Sequence, residues 1–147
     1  MELKDYQIRT LDAFTRWRNE LAAAQVRAET TIAALEKVGV DVPADIRNCP
    51  KSAWQKLAEV GEVANPAMAY VERTAEAGFP IPHICFKVPT GGGKTLLGAA
   101  ALERLNQSSG LVLWMVPSKA IYQQTKEKLW DRQHPYRQML ERGSGGR

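Results

Sequence analysis

The sequence predicts an α/β fold in which a helical N-terminal portion leads into one βαβ unit. Two short apolar runs, at 84–88 and 111–116, predict strands, and the second run has the continuous pattern of a strand that is buried on both faces. Between them lie a glycine-rich turn and then apolar residues at helical spacing up to Leu105. Because strand, helix and strand follow in this order, a right-handed crossover unit is expected within 81–147.

The segment 1–80 is predicted to be helical. An alanine-rich sequence with apolar residues three and four apart carries a first helix to about Lys37. Ser52 begins a second helix as the cap of a capping box. Asn65-Pro66 begins a third, which Gly78 closes.

Composition is that of a water-soluble globular chain of one-domain length. Of 147 residues, 44% are hydrophobic and 24% charged, and no apolar run is long enough to cross a membrane. The N-terminus lacks the pattern of a secretory signal. Cys49 and Cys85 have no nearby cysteine partner, so we expect reduced thiols in a cytoplasmic protein, with Cys85 buried in the first strand and neither acting as metal ligand or nucleophile.

Charge is unevenly distributed along the chain. Residues 1–80 carry ten Lys/Arg against twelve Asp/Glu, and residues 81–147 carry ten against four. The second half is therefore basic, which favours polyanionic ligands such as nucleotides or nucleic acid, although a solvated lysine-rich face gives the same count.

The glycine-rich turn has the chemistry of a phosphate loop. Gly91, Gly92 and Gly93 carry no Cβ, so the backbone can fold around an anion and direct its N–H groups inward. Lys94 can reach the β- and γ-phosphates of ATP, and the hydroxyl of Thr95 can complete a Mg²⁺ shell. A flexible turn that happens to precede Lys-Thr is the competing interpretation.

Three segments resemble motifs of superfamily two helicase-like ATPases, closest to the DEAD/DEAH-type motor subunits of type III restriction enzymes. Residues 3–7 are similar to the upstream glutamine element of those proteins. Residues 88–95 are similar to motif I, whose P-T-G-x-G-K-T form accounts for Val88 in place of the usual first glycine. Residues 113–121 are similar to motif Ia, a strand-to-helix turn.

The resemblance implies a fold and a set of roles. The βαβ unit would be the start of a RecA-like P-loop lobe that forms the ATP-binding domain. Gln7 would contact adenine, with Tyr6 nearby. A phosphate of a DNA strand would be held by Pro117, Ser118 and Lys119, without sequence reading. The triphosphate and its Mg²⁺ would be held by Thr90, Gly91, Gly92, Gly93, Lys94 and Thr95.

The resemblance also implies what is missing. Motors of this kind use an acidic Asp-Glu pair on a later strand, and the acidic residues that follow Thr95 are only Glu103, Glu127, Asp131 and Glu141. We therefore expect the beginning of a larger protein, which alone hydrolyses little or no ATP. The complete protein would drive DNA translocation or unwinding, feed a restriction endonuclease and pair with a modification methyltransferase subunit.

Two other classes of protein remain open. One is a P-loop NTPase of another kind, such as a kinase or AAA-type protein, in which Lys119 has no role in DNA binding. The other is a non-catalytic helical interaction module, in which Lys94 has no role in nucleotide binding.

Overall fold

A computed structural model describes residues 2–63, 67–107 and 109–145. These residues form α1 (Asp5–Lys37), a short 3₁₀ helix (Ala44–Arg47), α2 (Cys49–Glu59), α3 (Lys94–Leu105), α4 (Lys119–Trp130) and α5 (Pro135–Gly143). None of these helices is both long enough and apolar enough to cross a membrane.

The predicted α/β class is wrong. Across the described ranges there is no strand, and the one β-type pairing is an isolated antiparallel bridge between Thr74 and Pro80. The runs 84–88 and 111–116 are non-helical, but no segment that the structure describes pairs with them, and a strand needs a neighbour for its N–H and C=O groups. Leu111 is 94% exposed and Met115 81%, where full burial was expected. The described residues therefore contain neither a βαβ unit nor a RecA-like lobe.

Helix α1 begins at Asp5 and ends at Lys37, where the sequence predicted its end. Leu11, Phe14 and Leu21, at spacings of three and seven, are buried along one face. After Lys37, Gly39 adopts φ +71°, and the amide of Val40 returns to the carbonyl of Leu35 at 3.0 Å, the pattern of a glycine C-terminal cap.

The second helix begins earlier than predicted. Asn48 is its N-cap, accepting from the Lys51 amide at 3.2 Å, and Pro50 lies in the first turn, so Ser52 lies inside the helix. The third predicted helix is absent from 67–78. That segment makes a tight turn, with the Ala75 amide bonded to the Phe79 carbonyl at 2.8 Å. Its proposed cap, Asn65-Pro66, lies outside the described residues.

The chain divides into two compact units, Met1–Leu11 with Lys87–Arg147, and Asp12–Phe86. In the second of these, Tyr70 packs between Trp54 and His83, with ring centroids 5.8 and 6.0 Å away. Cys49 and Cys85 are both free thiols, and Cys85 is exposed, not buried as expected, because the described residues form no sheet around it.

The unit that contains Lys87–Arg147 is organised around α3. Five small or aliphatic residues of α3 are buried: Leu96, Leu97, Ala99, Ala100 and Ala101. Helix α5, which the sequence did not predict, packs against α3 so closely that a Cβ on Gly143 would lie 2.6 Å from the Cα of Glu103. Arg142 also donates to the Glu103 carboxylate at 2.5 Å, and this hydrogen bond raises the pKa of Arg142.

Candidate nucleotide and nucleic-acid sites

The glycine loop has a backbone suited to anions. Gly91 and Gly93 have φ +77° and +78°, while Gly92 between them stays outside the left-handed region. Alternation of this kind turns successive N–H groups toward one side and forms the concavity called a nest. The Gly92 amide closes the turn by donating to the Pro89 carbonyl at 3.0 Å.

Helix α3 begins directly at this loop, and no acceptor in the described part of the chain bonds the first amides of the helix. Gly93 occupies the N-cap and supplies no side-chain cap. The Leu97 amide bonds to the Gly93 carbonyl at 2.9 Å, so the amides of Lys94, Thr95 and Leu96 precede the first intrahelical bond. These donors, with the positive end of the helix dipole, favour an anion at this position.

Two side chains in the first turn of α3 add to the donor set. Lys94 is exposed, and its Nζ donates to the Pro89 carbonyl at 3.1 Å, which places the ammonium beside the loop. Thr95 follows and is half-buried. Thr90 and Gly91 are exposed on the loop itself. This combination of cation, amides and hydroxyl fits a triphosphate, and the Thr95 hydroxyl is the group that could bind its Mg²⁺.

The start of α1 holds the loop in place. The Tyr6 hydroxyl donates to the Gly92 carbonyl at 2.7 Å, and the Gln7 Nε2 donates to the same oxygen at 3.1 Å. The Gln7 Oε1 accepts from the Lys4 amide at 2.9 Å, and only 4% of Gln7 is exposed. Two donors thus satisfy both lone pairs of one carbonyl, which fixes the middle glycine of the loop.

Contacts at the loop require glycine. A Cβ on Gly92 would lie 2.5 Å from Val88 Cγ1 and 3.0 Å from the Pro89 carbonyl oxygen. A Cβ on Gly93 would lie 2.6 Å from Gln7 Nε2, at a φ that side chains rarely adopt. The loop conformation and the position of Gln7 are therefore linked.

The predicted DNA-contacting residues form the start of α4. Pro117, Ser118 and Lys119 are all exposed. Ser118 is the N-cap, and its Oγ accepts from the Ile121 amide at 3.3 Å, which leaves the hydroxyl proton for another acceptor. The structure thus links Tyr6 and Gln7 directly to the glycine loop, while residues 117–119 lie at the start of a different helix, α4.

Two of the carboxylates that follow Thr95 in the sequence form ion pairs with arginines. Glu103 pairs with Arg142, and Glu141 pairs with Arg137 at 2.8 Å. Within the described part of the chain, no group of three or more His, Cys, Asp or Glu side chains could hold a metal ion.

The sequence predictions did not include a group of aromatic and cationic side chains on α4. Tyr122, Lys126 and Trp130 lie four residues apart on α4, and they border a groove of about 280 Å³ that also contains Trp114. The signal was available as an aromatic-cation-aromatic pattern at helical spacing, in the segment that follows the strand-to-helix turn expected at 113–121.

Comparison with known protein families identifies one described as Type III restriction enzyme, res subunit, which matches residues 1–145. No curated protein and no solved structure matches the chain. The match covers nearly all of the 147 residues and confirms the resemblance seen in the three sequence segments. The chain belongs to the family of type III restriction enzyme res subunits.

Proposed function

We propose that the chain is the ATP-binding and DNA-binding part of a helicase-like type III restriction subunit. The observation that carries the proposal is the glycine loop at the uncapped start of α3, with Lys94 beside it and Tyr6 and Gln7 bonded to Gly92. Family membership supplies the wider context of DNA restriction.

Each residue of the site has a proposed role. The amides of Gly93, Lys94 and Thr95 bind phosphate oxygens, and the Lys94 ammonium leaves the Pro89 carbonyl to neutralise the β- and γ-phosphates. The Thr95 hydroxyl binds Mg²⁺, which when bound supplies further charge neutralisation. Gln7 and Tyr6 position the loop, and Gln7 also borders the adenine.

The DNA contacts in this proposal are contacts to the phosphate backbone. Ser118 donates its free hydroxyl proton, and Lys119 supplies a charge at the exposed start of α4. Such contacts position a strand and carry no sequence information. We further propose a cytoplasmic protein, in keeping with its free thiols, that works with a modification methyltransferase subunit.

The test is equilibrium titration of the purified chain with fluorescent ATP in the presence of Mg²⁺, comparing wild type with Lys94→Ala. Loss of the ammonium should weaken binding about tenfold or more, which is about 1.4 kcal/mol. Lys37→Ala is the matched control, because it removes one exposed lysine charge from the end of α1. Equal affinities for Lys94→Ala and wild type would favour a helical interaction module, with the loop as a simple turn.

A further inference from the structure

Helix α4 carries a stripe in which cations alternate with aromatic rings. Lys119, Tyr122, Lys126 and Trp130 are spaced by three, four and four residues, which places them on one face of the helix. Over the eight residues from Tyr122 to Trp130, the helix rises about 12 Å. We call these four residues the α4 stripe.

The rings of the stripe are available to a ligand. Trp130 is 79% exposed and Tyr122 is 50% exposed, although large aromatic rings are usually covered in a folded chain. The groove beside them is also lined by Trp114, Val116 and Leu129, and by Thr125, which is buried. Trp114 is itself held in place, because it packs against Gly98 so closely that a Cβ there would lie 2.7 Å from the indole ring.

The charge of the stripe is also available. The Lys126 ammonium lies 6.0 Å from the centre of the Trp130 ring, and neither Lys119 nor Lys126 forms an ion pair with a carboxylate in the described part of the chain. Cations that alternate with exposed rings suit a ligand that is a polyanion and also has flat π-faces.

We propose that the α4 stripe binds single-stranded nucleic acid by stacking unpaired bases on Trp130 and Tyr122, which rests on the DNA binding proposed above. Lys119 and Lys126 neutralise the phosphates between the stacked bases. At about 3.4 Å per nucleotide, the 12 Å between the rings accommodates three to four stacked nucleotides. Duplex DNA cannot use the rings in this way, because its bases already stack on each other.

The proposal is tested by fluorescence anisotropy with a labelled oligothymidylate and with a blunt duplex, over a series of salt concentrations. Trp130→Ala should weaken binding of the oligothymidylate about tenfold, leave duplex affinity unchanged and leave the salt dependence unchanged. Trp130→Phe should recover most of the affinity, because a ring is restored. Lys126→Ala should make the slope of log affinity against log salt shallower by about 0.7, the value for one phosphate of a single strand.

Leu111→Ala is the control, because it removes an apolar side chain that is 94% exposed and does not border the groove. Equal losses for oligothymidylate and duplex in Trp130→Ala, or no loss for either, overturn the proposal. Self-association of the chain that depends on Trp130, without oligothymidylate binding, also overturns it and identifies a protein interface. ATP titration of Trp130→Ala separates the two proposals. The stacking proposal predicts that this substitution leaves ATP affinity unchanged, whereas the glycine-loop proposal is tested by Lys94→Ala.

Discussion

The side-chain amide of Gln7 donates to the carbonyl of Gly92 at 3.1 Å, across 85 residues of sequence. The neighbouring Tyr6 hydroxyl donates to the same oxygen at 2.7 Å. The first turn of α1 therefore sets the geometry of the glycine loop. Gln7, which the family resemblance places beside adenine, is therefore also a support for the glycine loop.

Substitution of Gln7 separates these two roles. If Gln7 supports the loop, Gln7→Ala should weaken the binding of ATP, GTP and inorganic triphosphate by a similar factor of about ten, because a buried hydrogen bond to the loop is removed. If Gln7 also reads adenine, ATP should lose more affinity than GTP. Competition titrations with the three ligands measure both effects.

Arg9→Ala is the control for this comparison, since Arg9 is exposed and lies on the same turn of α1. An ATP affinity that survives Gln7→Ala unchanged would show that neither role is real.

Gly93→Ala should abolish nucleotide binding while the helices remain folded. The new Cβ would lie 2.6 Å from Gln7 Nε2, and φ +78° would add strain of about 1 kcal/mol. Gly61→Ala carries similar strain, at φ +73°, with nothing within 4 Å of the new Cβ. Far-ultraviolet circular dichroism and ATP titration of both variants should therefore show a loss of binding only for Gly93→Ala. Equal ATP affinity in the two variants would contradict the proposed loop geometry.

Gly143→Ala should destabilise the packing of α5 on α3. The added methyl would meet the Glu103 Cα at 2.6 Å and the Leu102 carbonyl oxygen at 2.8 Å, and backbone atoms cannot rotate away. Overpacking of this kind costs about 1–3 kcal/mol, which exceeds the gain of up to about 1 kcal/mol from alanine in a helix. Thermal unfolding should show a lower Tm, with Gln138→Ala, exposed on α5, as control. A Tm at or above that of wild type would refute the close approach.

Tyr70 should make the stability depend on alkaline pH. Burial, and secondarily the Glu72 carboxylate, raise the pKa of its hydroxyl above the unfolded value of about 10. A raised pKa in the folded state favours the neutral phenol. The resulting contribution to the free energy of unfolding is complete below the pKa of the unfolded state and is lost as pH rises through the pKa of the folded state. Wild type should therefore lose more stability than Tyr70→Phe above about pH 10.

Tyr70→Phe should also be more stable than wild type at neutral pH, by about 1 kcal/mol. The Tyr70 hydroxyl oxygen is buried and has no hydrogen-bond partner among the described residues, so its removal relieves a desolvation cost. Urea unfolding at neutral pH and above about pH 10 measures both effects. Tyr122→Phe is the control, because the Tyr122 side chain is exposed. A constant difference between Tyr70→Phe and wild type across the pH range would contradict the pKa argument.

Local signals in the sequence predicted the starts of two helices. Lys94 begins α3 directly after the glycines, and Lys119 begins α4 within the strand-to-helix turn expected at 113–121, because both signals act within one turn of backbone. Asn48 took the role predicted for Ser52, since several residues in that loop can cap a helix and Pro50 favours the earlier start.

The predicted sheet was wrong, because local information of the same kind does not determine whether strands pair. A continuous apolar run such as 111–116 names no pairing partner, and strand formation depends on a partner elsewhere in the chain. The hydrogen bonds from Tyr6 and Gln7 to Gly92 could not be predicted from local sequence either, because they join residues distant in sequence. The residues of the candidate site could be proposed from motifs, but the support that α1 gives to the loop required the structure.

The most direct test of the central claim is to follow backbone amide resonances by NMR while ATP and Mg²⁺ are added to the ¹⁵N-labelled chain. Saturable shifts are predicted at Gly93, Lys94 and Thr95, with smaller shifts at the Gln7 side-chain amide, and all should disappear in Lys94→Ala. Saturable shifts confined to other residues, or none in the loop at saturating ATP, would contradict the claim that this loop holds the triphosphate.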